Sequence, residues 1–491
     1  MMNTIFTEGK RFIDDKGRER VFSGVNYVYK GVETDKDGVI HYRHPLTEDV
    51  LRGLAEKGVN ILRLGFTWAG IEPEMTRYNL TYLGEIKEVV KRCEALGIYV
   101  FLDWHQDLYT AYRRCGDGAP KWATLYGAKP VKTRVIWAEG YFFDRALMKN
   151  FDAFWHNAEV RGRGLIDRFC DMLRFMVRYF KDCPNVMGYD VFNEPYPGTP
   201  GGKIFCTLVK NGVLTLLLSG NVDRKGMLAN AKKKDVMAML SVADDPTVYH
   251  GVIDAAEKRL KKFDTGVYYD FLKAAAEAIR QETDTGVIFM ENSYYSNTGI
   301  PCHTPHVTYD NGEKEKYLAF APHGYDITVD TPLTNEASPH RVDFIFNEHL
   351  RKQNAMNVPV LVGEWGGMVP GGEKYPALEH LIDLFDRNGW SQTYWHYLQD
   401  MKNTKIMQIL ARPYPQAVAG KIKKYGYDRE RDEFVLSYTG SSDIRVPTVI
   451  YLPKAPKTVY STKKYILKPL GDAFLLQVNA GKGECLVKAE F

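Results

Sequence analysis

Two glutamates stand at places where a carboxyl group is costly unless it has work to do. Glu194 closes the run Val186-Met-Gly-Tyr-Asp-Val-Phe-Asn-Glu-Pro195, and Glu364 closes Val358-Pro-Val-Leu-Val-Gly-Glu-Trp-Gly366. Both runs are short, apolar and rich in β-branched or aromatic residues, the composition of a buried strand. Pro195 brings no N–H and so ends the ladder behind Glu194. A charge at the end of a buried strand needs partners or a task. Two such carboxyls facing one pocket suit retaining glycoside cleavage, in which an acid protonates the leaving oxygen and a carboxylate ~5–5.5 Å away attacks the anomeric carbon. Glu194 is assigned as acid/base and Glu364 as nucleophile. Two close carboxylates resist joint ionisation, so the free protein should keep a proton on Glu194.

Other side chains complete the set. An arginine inside an apolar run is unusual, and Arg63 in Asn60-Ile-Leu-Arg-Leu64, with Tyr325, can hold Glu364 ionised and oriented. Asn193 can donate to the sugar 2-hydroxyl, His105 and His323 can floor the site with hydrogen bonds, and Trp395 can offer a face to the sugar. Asp103, His105 and Asp107 cluster in the manner of metal ligands, but no complementary ligand set is found at metal spacing. Neither a metal nor any other cofactor is expected.

Placing these residues together requires a repeating scaffold. Candidate strands at 21–26, 59–65, 98–104, 186–193, 286–291, 317–323, 358–364 and 390–396 alternate with amphipathic stretches. Examples are Thr47–Lys57, Leu83–Leu96, Leu165–Phe180, Tyr268–Gln281, Arg341–Gln353 and Ala377–Arg387. Eight strands with helices between them predict a (β/α)₈ TIM barrel, whose chemistry sits at the C-terminal ends of the strands. No Gly-rich phosphate loop supports an open doubly wound sheet instead. After Arg412-Pro-Tyr-Pro415 the pattern turns to short β-rich runs at 433–438, 447–452, 457–467, 473–479 and 484–490. The expected organisation is a catalytic barrel over 1–411 and a small antiparallel β-sandwich over 412–491, read as a buttress. A hairpin over 9–29 should lead into the first strand.

The connection from Tyr196 to Gly286 exceeds an ordinary βα unit. It opens with a Pro/Gly-rich loop, Pro197–Gly202, and residues 203–265 form a helical insertion. This insertion is either an extra layer on the barrel or a lid or lipid-facing rim, with Val213–Leu218, Met237–Leu240 and Lys232–Lys234 as its notable features.

Composition agrees with a large globular chain: 491 residues, 45% apolar, 26% charged and a net charge of +4. Those values give no case for nucleic acid as a partner. The seven cysteines (93, 115, 170, 183, 206, 302, 485) show no CxxC pair and read as free buried thiols. Aromatic content of 13% suits sugar stacking and core packing alike. No signal peptide is visible, which fits a cytoplasmic chain or a mature secreted form, and no apolar run reaches the ~18 residues of a membrane span. A monomer is expected.

The ensemble of the Arg63 strand, Asp103-Trp-His105, Asn193-Glu-Pro195, His323-Gly-Tyr325, Gly363-Glu-Trp-Gly366 and Tyr394-Trp395 resembles glycoside hydrolase family 5. Finer features resemble its endoglycoceramidase branch, including enzymes of the endogalactosylceramidase type. These are Val25-Asn-Tyr-Val-Tyr-Lys30, Trp68-Ala-Gly-Ile-Glu-Pro73, Asp103–Tyr109, Gly118-Ala-Pro-Lys-Trp122, Phe151–Asn157 and Arg412–Gly420 leading into a β-sandwich. The resemblance implies release of an intact glycan from the ceramide of a glycosphingolipid, through a glucosyl- or galactosyl-ceramide linkage, with transient contact at a membrane or micelle surface. It further implies that Lys30, Asp107 and Trp155 line the sugar subsites. The competing readings are a family 5 β-glucanase, or a sterol or other β-glucosidase, and, in another class, a non-catalytic carbohydrate-binding barrel. Both glutamates are present, which weighs against the last.

Overall fold

A computed structural model describes residues 2–30, 32–34, 40–110, 116–127, 136–233 and 235–491, with backbone alone at 32–34, 40, 228 and 231. Cys115 and Lys234 lie outside the described residues. Eight parallel strands form one sheet: β1 Ser23–Val28, β2 Ile61–Phe66, β3 Tyr99–Trp104, β4 Val186–Asp190, β5 Val287–Met290, β6 Leu318–Phe320, β7 Leu361–Val362 and β8 Ser391–Tyr394. Each pairs with its sequence neighbours except β6 with β7, and β8 returns to β1. The ring closes between β6 and β7 through the Phe320–Val360 bridge. One layer higher, His323–Gly324 lies parallel to Glu364–Trp365. Every residue of β2 and β3 is buried, because side chains face the barrel interior on one side and the helical ring on the other.

The ring helices follow their apolar spacing. In Leu165–Phe180 the buried face is Leu165, Phe169, Met172, Leu173, Met176 and Phe180, a 3.6-residue stripe against the sheet. Helices Val267–Arg280, Pro339–Met356 and Pro376–Asn388 do the same, and helix Arg145–Trp155 joins them.

Three elements differ from the sequence expectation. The N-terminal hairpin, Ile5–Glu8 with Arg11–Asp14, is not an approach to the barrel but its floor. Ile5 and Phe12 pack with Phe22, Ile61, Tyr99, Phe101, Met187, Val287 and Phe289. The hairpin continues through Glu19–Arg20 into an antiparallel pairing with Tyr414–Val418, so it belongs to a seven-stranded sheet completed by C-terminal strands. A four-stranded sheet (Gly420–Asp428, Glu433–Gly440, Gly483–Glu490 and Thr458–Ser461) packs on it through Tyr414, Phe434, Leu436, Ile450, Leu476 and Val487. The run 457–467 is therefore two strands, Thr458–Ser461 and Tyr465–Leu470, which lie in different sheets.

The third difference is the start of the insertion. Thr199–Leu218 is one helix of 20 residues, and Pro200 sits in its first turn, where a missing N–H costs nothing. Gly198 turns the chain at φ +73°, and a Cβ there would lie 2.2 Å from Asp152 Oδ1. That carboxylate accepts the Thr199 N–H at 2.8 Å and docks the helix on the barrel. Helices Arg224–Lys233, Val236–Leu240, Pro246–Ile253 and Glu257–Asp264 complete the layer.

Candidate active site

The C-terminal ends of the strands converge on Arg63, which is fully buried. Register places Asn26 of β1 beside Arg63 of β2, and Asp103 of β3 beside Asp190 of β4. The guanidinium donates to Asp190 (2.8 Å), Asp103 (3.0 Å), Glu291 (2.8 Å), Glu364 (2.5 Å), Asn193 (2.9 Å) and Asn26 (3.0 Å). A planar fork with five N–H groups is the one side chain able to serve so many oxygens.

Glu364 is 3% exposed. One carboxylate oxygen accepts from Arg63 and the other from the Tyr325 hydroxyl at 2.8 Å, which fixes its plane. Gly363 precedes it, and a Cβ there would stand 2.8 Å from His323 Nε2, so the close approach of the imidazole requires glycine. Glu194 is 6% exposed at φ +45°. Its backbone N–H donates to Glu291 at 2.7 Å, and its Oε1 accepts from Asn297 at 2.5 Å and faces His323 Nδ1 at 3.2 Å. An oxygen of Glu194, an oxygen of Glu364 and a ring nitrogen of His323 lie within 4.8 Å of one another.

The environments of the two glutamates differ. Burial, with the nearby Glu364 and Asp107 charges, lifts Glu194 from its ordinary 4.5 to about 7, although His323 opposes the rise. Burial alone would discharge His323, but Glu291, Glu364 and Glu194 surround it and raise its affinity for a proton well above the usual value. His105 follows the same logic: burial opposes its charge, while Asp103 at 2.9 Å and Asp107 raise it to about 10. Seven carboxyls (Asp103, Asp107, Asp117, Asp190, Glu194, Glu291 and Glu364) thus face four cationic groups (Lys30, Arg63, His105 and His323). Asp117, Asp190 and Glu194 are pushed up chiefly by burial.

Lys30, Asp107, His105 and Trp395 form one wall. The Lys30 ammonium pairs with Asp107 and stands 3.6 Å from Asp117 and 5.2 Å from the Trp395 ring centre. His105 stacks on Trp395 at 5.5 Å. Burial would raise Asp107, yet Lys30 and His105 hold it at about 2. His105, Asp107 and Asp117 are spaced closely enough to ligate an ion, but the Lys30 ammonium is already paired into that group. Asn193 accepts from Arg63 and donates one amide N–H to the Gln106 carbonyl at 3.0 Å, so its second N–H remains for substrate.

Trp155 is the exception among the expected site residues. It is 4% exposed and packed among Phe154, Phe192, Phe263, Tyr268 and Phe271, with its indole N–H donating to the Tyr196 carbonyl at 2.8 Å. It is core, not a sugar platform. Two residues escaped the sequence reading. Glu291 ends Val287-Ile-Phe-Met-Glu291, the same strand-then-carboxylate signal that marked Glu194 and Glu364. Asn297 lies in the 3₁₀ turn Tyr294–Thr298, and no spacing marks it.

A closed parallel barrel whose strand ends hold a raised glutamic acid beside an arginine-bound glutamate is the architecture of a glycoside hydrolase. Residues 22–400 match the family described as cellulase (glycosyl hydrolase family 5), and residues 412–465 match the glycoside hydrolase family 5 C-terminal domain. The chain belongs to glycoside hydrolase family 5. Among relatives, an endoglycoceramidase of Cyanea nozakii is 24% identical over 92% of this chain and 85% of its own. Among solved structures, endo-glycoceramidase II from Rhodococcus sp. in complex with ganglioside GM3 superposes with a TM-score of 0.72 at 21% identity, covering 98% of this chain and 99% of that one. An endogalactoceramidase superposes with a TM-score of 0.71 at 18% identity, over 99% and 100% of the two chains.

Proposed function

We propose that this hydrolase cleaves the bond between the glycan and the ceramide of a glycosphingolipid, with retention, by two displacements. The observation that carries the mechanism is the pairing within 4.8 Å of Glu194, whose proton is held to about 7, with Glu364, whose two oxygens are fixed by Arg63 and Tyr325. In the first step a Glu364 oxygen bonds to the anomeric carbon as the glycosidic C–O bond breaks. The electron pair leaves on the ceramide oxygen, which takes the Glu194 proton. In the second step Glu194, now a carboxylate, removes a proton from water, the water oxygen bonds to the same carbon, and the bond to Glu364 breaks. Asn193 offers its free N–H to the 2-hydroxyl, and Lys30, His105, Asp107 and Trp395 face the sugar from the opposite wall. The ceramide specificity is supported by the names of relatives matched over almost the whole chain, and a substrate presented by a lipid surface makes contact with a membrane or micelle part of this reading.

The test is incubation with a mixed glycosphingolipid extract, with mass analysis of what is released. Intact oligosaccharides together with free ceramide are expected. Release only of single glucose units from steryl glucoside, or hydrolysis of cellulose alone, would reject the ceramide reading in favour of another family 5 activity. A slow fluorinated glycoside should leave its label on Glu364, and label on another residue would remove that assignment.

A further inference from the structure

The helix Thr199–Leu218 leaves the barrel four residues after Pro195, and only its beginning is buried. Ile204 is fully buried, and Gly201 packs against Tyr196. Beyond that anchor Phe205 stacks on Phe142, and Thr215 lies against Gly251 of helix Pro246–Ile253, while the opposite face of the last three turns is left exposed among the described residues. Val209, Val213, Leu214, Leu217 and Leu218 are 51, 53, 39, 57 and 73% exposed. Positions 209, 213 and 217 form one stripe at i, i+4 spacing, and 214 and 218 flank it. By length and composition this is the one helix among the described residues apolar enough to cross a membrane, yet only 11% of its most apolar stretch is buried. The sequence reading found only the short cluster Val213–Leu218 and missed it, because Lys203 and Lys210 interrupt the apolar run.

Charge decides what covers this face. Residues 199–233 carry six basic side chains (203, 210, 224, 225, 232 and 233) and one aspartate (223), a net +5, whereas the whole chain carries only +4. All six are exposed, and none is ion-paired among the described residues. The protein's excess positive charge is therefore concentrated in its most exposed apolar helix and the segment that directly follows it. Aliphatic side chains bordered by lysines match a bilayer whose head groups are negative. A protein partner would need an acidic ridge around an apolar groove, and an anionic bilayer supplies both features over any area. The helix cannot span: with its first turns fixed on the barrel, about 14 free residues reach ~21 Å, short of the ~30 Å hydrocarbon core.

We propose that Thr199–Leu218, with the basic helix Arg224–Lys233 that follows it in the chain, lies flat on an anionic lipid surface and sets the barrel mouth against it. The proposal rests on the glycolipid reading for its purpose, since Glu194 precedes this helix and its leaving group would depart toward the lipid.

The test is flotation of the full chain with glycolipid-free vesicles, of phosphatidylcholine alone and of phosphatidylcholine with phosphatidylglycerol. Binding to the anionic vesicles is expected to be at least about tenfold tighter than to the neutral ones and to fall as salt is raised. Leu217→Ser with Leu218→Ser, and separately Lys225→Glu with Lys232→Glu, should each abolish flotation. Their melting curves and their hydrolysis of a soluble aryl glycoside should match the parent. Equal affinity for neutral vesicles, no flotation with either, or retention after an alkaline wash would overturn the proposal. So would a lipid-free dimer that the leucine variant dissolves, because the face would then belong to a second copy. The functional reading fails separately if the parent protein releases no glycan from glycosphingolipid in detergent micelles, where vesicle binding plays no part.

Discussion

At the scale of single residues, the division of labour rests on solvation. Glu194 is raised because burial strips water from it, and Glu364 and Asp107 add to the rise. A catalytic acid must be protonated in the free enzyme, so kcat/KM should fall as pH rises through about 7, read from a pH–rate profile. Glu194→Ala should lose several orders of magnitude on glycolipid, whose alkoxide leaves poorly, while sparing the first step for an aryl glycoside with a good leaving group. Equal losses on both would show that Glu194 is not the acid. The same shift affects folding. A carboxyl whose folded pKa lies above its unfolded value costs nothing below about 4.5 and costs progressively more up to about 7. At the upper end the penalty is about 3 kcal/mol. Glu194→Gln should therefore raise the melting temperature at pH 8 and change it little at pH 4.

At the scale of elements, Arg63 ties the ends of five strands together by binding Asn26, Asp103, Asp190, Glu291 and Glu364. Removing one member of a buried ionic cluster leaves the others uncompensated, so Arg63→Met should destabilise the fold by about 3–5 kcal/mol. Asp103, which burial would raise, is held below 3.8 by Arg63 and His105. Its contribution is present above that value and lost as pH falls through the folded one. The deficit of the variant should accordingly be full near neutrality and shrink in acid, measured by denaturant melts across pH. The eight barrel strands were legible because each is an apolar run ending in a polar residue. Trp155 was misjudged because helix Arg145–Trp155 is buried on most of its sides, and a linear pattern does not say which buried face looks toward a pocket. The long insertion helix was hidden by Pro200, Gly201 and Gly202, whose weak helical propensity is overridden by docking on Asp152 and Tyr196. Asn297 was invisible because only the fold brings the turn after β5 to Glu194.

At the scale of the whole molecule, the barrel has a working mouth and a structural floor. The floor is the N-terminal hairpin, and Phe12 is its largest wedge, 3% exposed against Phe22 and Phe289. Phe12→Ala should cost about 3–5 kcal/mol through the cavity it leaves. Because Arg63 and the two glutamates sit at the opposite end of the strands, kcat and KM should be preserved below the lowered melting temperature. A parallel loss of kcat would show that floor and mouth are mechanically coupled.

That floor also has a consequence in time. Arg20 pairs with Ala417, so the short strand carrying it waits for a partner almost four hundred residues away. At ~5–20 residues per second a ribosome needs roughly 20–80 s to make the intervening chain. During that interval every barrel strand and both glutamates emerge, while the sheet at the base keeps an open edge. The nascent hydrolase thus acquires its chemistry before its closure, and a chain already carrying a whole barrel still presents an open strand edge to its neighbours.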